Sequence, residues 1–272
     1  MNTPSKTTLI AHRGESEDVP ENTLPAYRTA VERGFGFECD CYLSTDGKVF
    51  MFHDRNLSRT TGGACTKTCW EATWDEIKDL DVGGWGKWAG SKFAGTRPAL
   101  LEQVLPLARD GRRIYLEVKN PDAAIVPRIK EILGSQDAAT ERNLLFISFR
   151  ENICKALKEQ LPQYTVYWLT AHRKDWGIGS WNDMTKPVVT AQDIVSTLLE
   201  TGADGVDCQW IDDYTTADKI EAVHAAGKSF HVWTIDDLPS AIEAFRRGAD
   251  TVTTNCAQRL LDEYAAKGGA AT

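Results

Sequence analysis

The sequence predicts an α/β protein built as a (β/α)8 TIM barrel, and three observations carry the prediction. Extended runs alternate with helical ones along all 272 residues, and counting one hairpin as a single unit gives eight strand-to-helix units. The strands are short and apolar (LLFI, VYWL, FHVW), as parallel strands covered on both faces must be. The unusual polar residues fall at the C-terminal ends of the strands, where such a barrel carries its chemistry. A doubly wound open sheet shares the rhythm, but no glycine-rich dinucleotide loop accompanies it.

Thr7–Gly14 reads as a strand ending in His-Arg-Gly. Glu21-Asn22-Thr23 caps a helix through about Glu32, and Gly34 stops it. Phe35–Ser44 and Val49–Asp54 are extended, joined by Thr45–Lys48, a turn containing Asp-Gly. The piece from Arg55 to Pro98 breaks the rhythm. It holds Gly62-Gly63, a short helix near Trp74–Leu80 and the stretch GGWGKW. A loop-rich piece of that length is a functional insertion or a subdomain.

The alternation then resumes. Leu100–Arg109 is a helix, Arg113–Lys119 a strand, Ala123–Leu133 a helix, Asn143–Phe149 a strand, Glu151–Gln160 a helix and Thr165–Thr170 a strand. After an irregular, Trp-containing loop come helix Ala191–Glu200, strand Gly205–Gln209, helix Asp218–Ala226, strand Ser229–Ile235, helix Leu238–Arg247, strand Asp250–Thr254 and helix Ala257–Ala265. Gly202-Ala203-Asp204-Gly205 and Gly248-Ala249-Asp250 mark a recurring helix-to-strand joint. The expected organisation is one TIM-barrel domain over residues 1–272, with residues 55–98 inserted within it.

Within Phe35–Ser44, Glu38 and Asp40 sit two apart and project from one face, while Cys39 and Cys41 turn to the buried layer. Adjacent carboxylates repel and raise each other's pKa unless a cation lies between them. Glu117 joins them from the end of the next strand. Three carboxylates can hold one hard divalent ion, Mg²⁺ or Ca²⁺, with positions left for water and substrate oxygens. That ion, Arg13 and Lys119 can neutralise a phosphoryl group, and His12 and His53 can act as acid and base beside the phosphorus. Such a set cleaves phosphodiesters. Any one of these residues alone would read as structural. Leaving so many charges at strand ends without a function would cost stability through desolvation.

The pieces AHRG, PENT, ECDCYLSTDG, FHDRNLSRTTG, LEVK and HVWT, in that order, resemble the glycerophosphodiester phosphodiesterase family. WDEIKDLDVGGW followed by RPALLEQVL resembles that family's insertion and its exit. The resemblance implies a TIM barrel and metal-dependent hydrolysis of glycerophosphodiesters to an alcohol and glycerol 3-phosphate. It maps the metal ligands onto Glu38, Asp40 and Glu117, the catalytic pair onto His12 and His53, and phosphate contacts onto Arg13 and Lys119. Glu21, in PENT, either supports the site or only helps cap the helix. Trp233, late in the Ser229–Ile235 strand, is a candidate to meet an apolar or quaternary-ammonium headgroup. Trp85 and Trp88 are expected to pack the insertion. A cyclic phosphate intermediate is expected, with His53 as the acid in its formation. Two alternatives remain: a phospholipase-D-like enzyme acting on lysolipids or sphingolipids, and a phosphate-binding barrel without catalysis.

Net charge −8 argues against nucleic acid or an anionic membrane surface as a main partner. No apolar run approaches the length of a membrane span, so no stable membrane insertion is expected. The seven cysteines form no disulfide framework. Cys39, Cys41, Cys208 and Cys256 read as core residues, and no second Cys/His pair completes a zinc site with Cys65 and Cys69. With no visible signal peptide, a cytoplasmic location is expected. The partner is a small-molecule substrate, and the oligomeric state is not legible.

Overall fold

The computed structural model describes residues 2–109, 111–171 and 190–269. The chain divides into two compact units, Ala11–Leu144 and Met1–Ile10 with Leu145–Thr272. In chain order the strands and helices alternate as in a (β/α)8 TIM barrel, with an insertion after the second strand and its hairpin partner.

Strand β1 (Leu9–Ala11) is wholly buried. Helix α1 (Leu24–Arg33) begins where expected, because the Thr23 side chain accepts from the Ala26 N–H. It ends where Gly34 adopts a left-handed conformation at φ 94° and its N–H caps the last carbonyls. In the Ala11–Leu144 unit, β2 (Gly36–Leu43) pairs antiparallel with β3 (Val49–Met51) through the Asp-Gly turn. The insertion builds its own apolar cluster on this hairpin, where Leu57, Cys69, Ala72, Ile77 and Val82 pack with Tyr42, Phe50 and Phe52. Its helix α2 (Trp74–Ile77) is one turn long, with a capping box between Thr73 and Glu76. Beyond α3 (Leu101–Val104), β4 (Ile114–Val118) pairs parallel with β2, setting Asp40 opposite Glu117. Helices α4 (Ile125–Leu133) and α5 (Ala138–Asn143) follow.

In the second unit, β5 (Leu144–Ser148), β6 (Thr165–Thr170), β7 (Gly205–Gln209), β8 (Ser229–Trp233) and β9 (Thr251–Thr254) pair parallel in succession. The Val252 N–H donates to the Thr8 carbonyl at 2.8 Å, so the chain's start runs beside β9. Between the strands lie α6 (Glu151–Gln160), α7 (Ala191–Thr201), α8 (Ala217–Ala225) and α9 (Leu238–Arg247), and α10 (Ala257–Ala266) ends the series. The repeated joint has one physical basis. Gly202 and Gly248 close α7 and α9 in left-handed conformations. The aspartate two residues later then accepts from the preceding strand: Asp204 from the Val166 N–H at 2.9 Å, Asp250 from the Phe230 N–H at 2.7 Å.

Three expectations need correction. Leu100–Arg109 is not one helix: α3 passes into a tighter turn over Leu105–Leu107, where Pro106 has no N–H to continue an α ladder. Helix α5 was not expected, because six residues carry too little periodicity to register, although Asp137 caps it through the Thr140 N–H at 2.9 Å. Strand β3 stops at Met51 and leaves His53 beyond the ladder. The Trp-containing loop expected before Ala191 lies outside the described residues.

Candidate active site

Seven of the eight residues singled out from the sequence lie in the Ala11–Leu144 unit: His12 and Arg13 just after β1, Glu38 and Asp40 within β2, His53 after β3, and Glu117 and Lys119 at and just past the end of β4. Alternation along β2 sends Glu38 and Asp40 one way, and the parallel register brings Glu117 beside Asp40. Carboxylate oxygens of all three lie within 4.8 Å of one another, and all three residues are buried. Cys39 and Cys41, on the opposite face, are fully buried, as expected.

The turn after β1 wraps onto Glu38. The Arg13 N–H donates to Glu38 Oε2 at 2.9 Å and the Gly14 N–H to the Glu38 carbonyl at 3.2 Å. His12 Nε2 lies 3.8 Å from the same Oε2. Two non-glycine residues here sit at positive φ, Arg13 at 55° and Asn22 at 53°. Such backbone persists only where its surroundings hold it. The Asn22 N–H donates to the Arg13 carbonyl at 3.0 Å, so the two residues lock each other.

The charges balance locally. Lys119 Nζ lies 2.7 Å from Glu117 Oε1 and 3.2 Å from Asp40 Oδ1. Arg13 Nη1 donates to Glu21 Oε1 at 2.7 Å, and Arg13 Nε lies 3.7 Å from Asp40 Oδ2. Burial works against the Asp40 charge, but Lys119, His53 and Arg13, with the Asn22 hydrogen bond, hold its carboxyl well below the usual range. Glu38 is pushed well above that range by burial and by the charges of Asp40 and Glu117. Burial, with Asp40 beside it, raises Glu117 to about 7 despite Lys119. Glu38 Oε1 is buried without a hydrogen-bond partner. An unpartnered carboxylate oxygen among like charges is what a hard cation would satisfy, so this donor set fits a divalent ion.

His53 is held from several sides. Its Nδ1 is hydrogen-bonded to Asp54 Oδ1 at 2.8 Å, and its carbonyl accepts from the Tyr42 hydroxyl at 3.4 Å. Burial, Lys119 and Arg13 together lower its pKa to about 4, outweighing Asp40 and Asp54. The Cys69 thiol donates to the Asp54 carbonyl at 3.2 Å, so this cysteine supports the His53-Asp54 turn. A small cavity is bordered by Glu21, Asn22, His53 and Thr60, with Met51, Phe52 and Val82 as its apolar wall.

The eighth residue, Trp233, belongs to the other unit. There its Nε1 donates to the Asp207 carbonyl at 3.1 Å and its ring meets Phe149 edge-on at 5.7 Å. Trp88 packs edge-on against Phe93 at 5.5 Å, and Trp85 stacks under the Arg59 guanidinium at 4.8 Å. Gly62-Gly63 is a turn, with N–H groups bonded to the Arg59 and Ser58 carbonyls. Sequence reasoning did not single out Asn22, Asp54 or Arg59. The available signals were Asn22 inside PENT and Asp54 directly after His53; Arg59 had none beyond its place in FHDRNLSRTTG.

Comparison with known proteins bears on the same residues. The model of the glycerophosphoryl diester phosphodiesterase family matches residues 12–258. A glycerophosphodiester phosphodiesterase of Caldanaerobacter subterraneus is 34% identical over 165 residues, 59% of this chain and 65% of that protein. One from Bacillus subtilis is 35% identical over 125 residues, 44% of this chain and 42% of that protein. The matched stretch therefore spans less than two thirds of either relative's length. Among solved structures, an Oleispira antarctica phosphodiesterase in complex with its product sn-glycerol-3-phosphate superposes with a TM-score of 0.76 at 24% identity, covering 95% of this chain and 96% of that one. A Thermotoga maritima glycerophosphodiester phosphodiesterase superposes with a TM-score of 0.70 at 23% identity, covering 97% and 100%. At these identities the likeness shows the fold.

Proposed function

Since the chain belongs to the glycerophosphoryl diester phosphodiesterase family, we propose that it is an enzyme hydrolysing glycerophosphodiesters to an alcohol and glycerol 3-phosphate. The observation that carries the reading is the buried trio Glu38, Asp40 and Glu117, with Glu38 Oε1 unpartnered and His12 3.8 Å from the same carboxylate. The trio would hold one divalent cation, Mg²⁺ or Ca²⁺, which when bound supplies Lewis-acid polarisation of a phosphoryl oxygen.

The chain's own groups do the rest. Arg13 and Lys119 present fixed positive charge to the phosphoryl oxygens, a contribution that grows in a site shielded from water. The glycerol hydroxyl beside the phosphorylated carbon is the nucleophile. Its proximity contributes roughly 7–11 kcal/mol towards lowering the barrier. His53 suits the base role in this step: its low pKa keeps the ring neutral, and an Nδ1–H bonded to Asp54 leaves Nε2 free to accept the proton. That order reverses the one expected from sequence. His12 then protonates the departing alcohol oxygen as the phosphorus–oxygen bond breaks, and a cyclic phosphate forms. Water, losing a proton to the now neutral His12, opens the ring while His53 returns its proton to the adjacent glycerol oxygen.

The test is release of glycerol 3-phosphate from glycerophosphocholine with and without chelator. Release that stops in chelator and returns with Mg²⁺ or Ca²⁺ is expected. No release under either condition overturns the reading. Phosphorus NMR on a substrate lacking the adjacent hydroxyl tests the cyclic route, which fails if that analogue turns over as fast as the parent.

A further inference from the structure

Arg59, in the insertion, takes no part in the steps above, yet it stands at the centre of a chain of charged groups that reaches two residues which do. Its guanidinium forks onto Asp54, Nε donating to Oδ2 at 2.6 Å and Nη2 to Oδ1 at 2.9 Å. The same group forks onto Glu21, Nη2 donating to Oε1 at 2.6 Å and Nη1 to Oε2 at 3.1 Å. Each carboxylate carries the contact one step further. Asp54 Oδ1 is bonded to His53 Nδ1 at 2.8 Å, and Glu21 Oε1 accepts from Arg13 Nη1 at 2.7 Å. The Arg59 guanidinium carbon lies over the Trp85 ring, 4.8 Å from its centroid, and the indole Nε1 is tied to the Val82 carbonyl at 3.0 Å.

Stability alone does not account for this arrangement. The Arg59 side chain is 41% exposed, and exposed ion pairs contribute little. Its geometry carries the argument. A planar guanidinium with all three nitrogens engaged fixes the direction of both carboxylates as well as their distance, which an ammonium cannot do. Those two carboxylates are the ones that orient His53 and Arg13.

We propose that Arg59 is a positioning residue that sets the orientation of His53 and Arg13 together, so that the insertion completes the active site; the proposal rests on the function given above. Without Arg59, Asp54 and Glu21 can still meet His53 and Arg13, but nothing holds the planes of the two carboxylates in register. A misplacement of about 1 Å at a reacting group costs on the order of 10²-fold in rate.

The experiment uses the whole chain, saturated with Mg²⁺, as wild type, Arg59→Ala and Arg59→Lys. It measures kcat and KM for glycerophosphocholine, Mg²⁺ affinity by calorimetry, and the His53 Nδ1 proton by NMR. Expected are a kcat loss on the order of 10²-fold in both variants, unchanged Mg²⁺ affinity, a shifted or exchange-broadened His53 proton, and partial recovery of kcat in Arg59→Ala on adding free guanidinium. Wild-type kcat with an unmoved His53 proton in either variant overturns the proposal. If Arg59→Ala fails to fold, Arg59→Lys, which keeps the charge, decides alone. A wild-type protein that releases no glycerol 3-phosphate would defeat the functional reading, while the His53 resonance would still judge the positioning.

Discussion

Asn22 and Asp40 hold each other in both directions. Asn22 Nδ2 donates to Asp40 Oδ2 at 2.6 Å, and the Asp40 N–H donates to Asn22 Oδ1 at 3.1 Å. The Tyr27 hydroxyl adds a bond to the same Oδ1 at 2.8 Å, and its ring stacks on Phe37 at 4.7 Å. A short side chain at positive φ thus fixes both the backbone and the carboxylate of one β2 residue.

Asn22→Ala therefore strands two buried donors and frees one Asp40 oxygen. We expect a loss on the order of 1–3 kcal/mol in urea unfolding, with weakened divalent-ion affinity in calorimetry. Unchanged stability and affinity would mean that Asp40 needs no such clamp.

Glu38→Gln removes one of three neighbouring buried negative charges while keeping an oxygen to accept from the Arg13 N–H. Activity and divalent-ion affinity should fall together. In chelator the variant should be at least as stable as wild type, because burial and like charges disfavour the Glu38 carboxylate. Wild-type ion affinity in this variant would remove Glu38 from the ligand set.

Glu21 supplies a pH dependence. Burial raises its pKa, but hydrogen bonds and charge from Arg59 and Arg13 bring it down to about 2. A depressed folded pKa contributes stability that is present above the unfolded value and lost as pH falls through the folded one. The advantage of wild type over Glu21→Gln, held to about 1 kcal/mol at neutral pH by the exposure of Arg59, should shrink between about pH 4.5 and 2. Unfolding measured across that range in metal-free buffer checks it. A constant difference would show that Glu21 does not titrate against the two arginines.

His12→Gln and His53→Gln should each cost on the order of 10²–10⁴ in rate. Divalent-ion affinity should survive both changes, since neither histidine belongs to the carboxylate trio. Parallel loss of affinity and rate would instead make the histidine a ligand.

The sequence by itself determined the alternation of strands and helices, several element bounds to the residue, and the side-by-side placement of Glu38 and Asp40. All of these follow from local rules: periods of 2 and 3.6, caps at Thr23 and Gly34, and the length of chain between turns. Tertiary structure alone decided the partners. The β2–β4 register set Glu117 against Asp40 and left Lys119 to bridge them. Asn22 reached across 18 residues to Asp40, and Arg59 across 38 residues to Glu21. Hydrogen bonds and charges act through space over a few ångströms, and no periodicity along the chain encodes which distant group will arrive there. For the same reason the sequence could name His53 but not the base role proposed for it, which rests on burial, Lys119, Arg13 and the bond to Asp54.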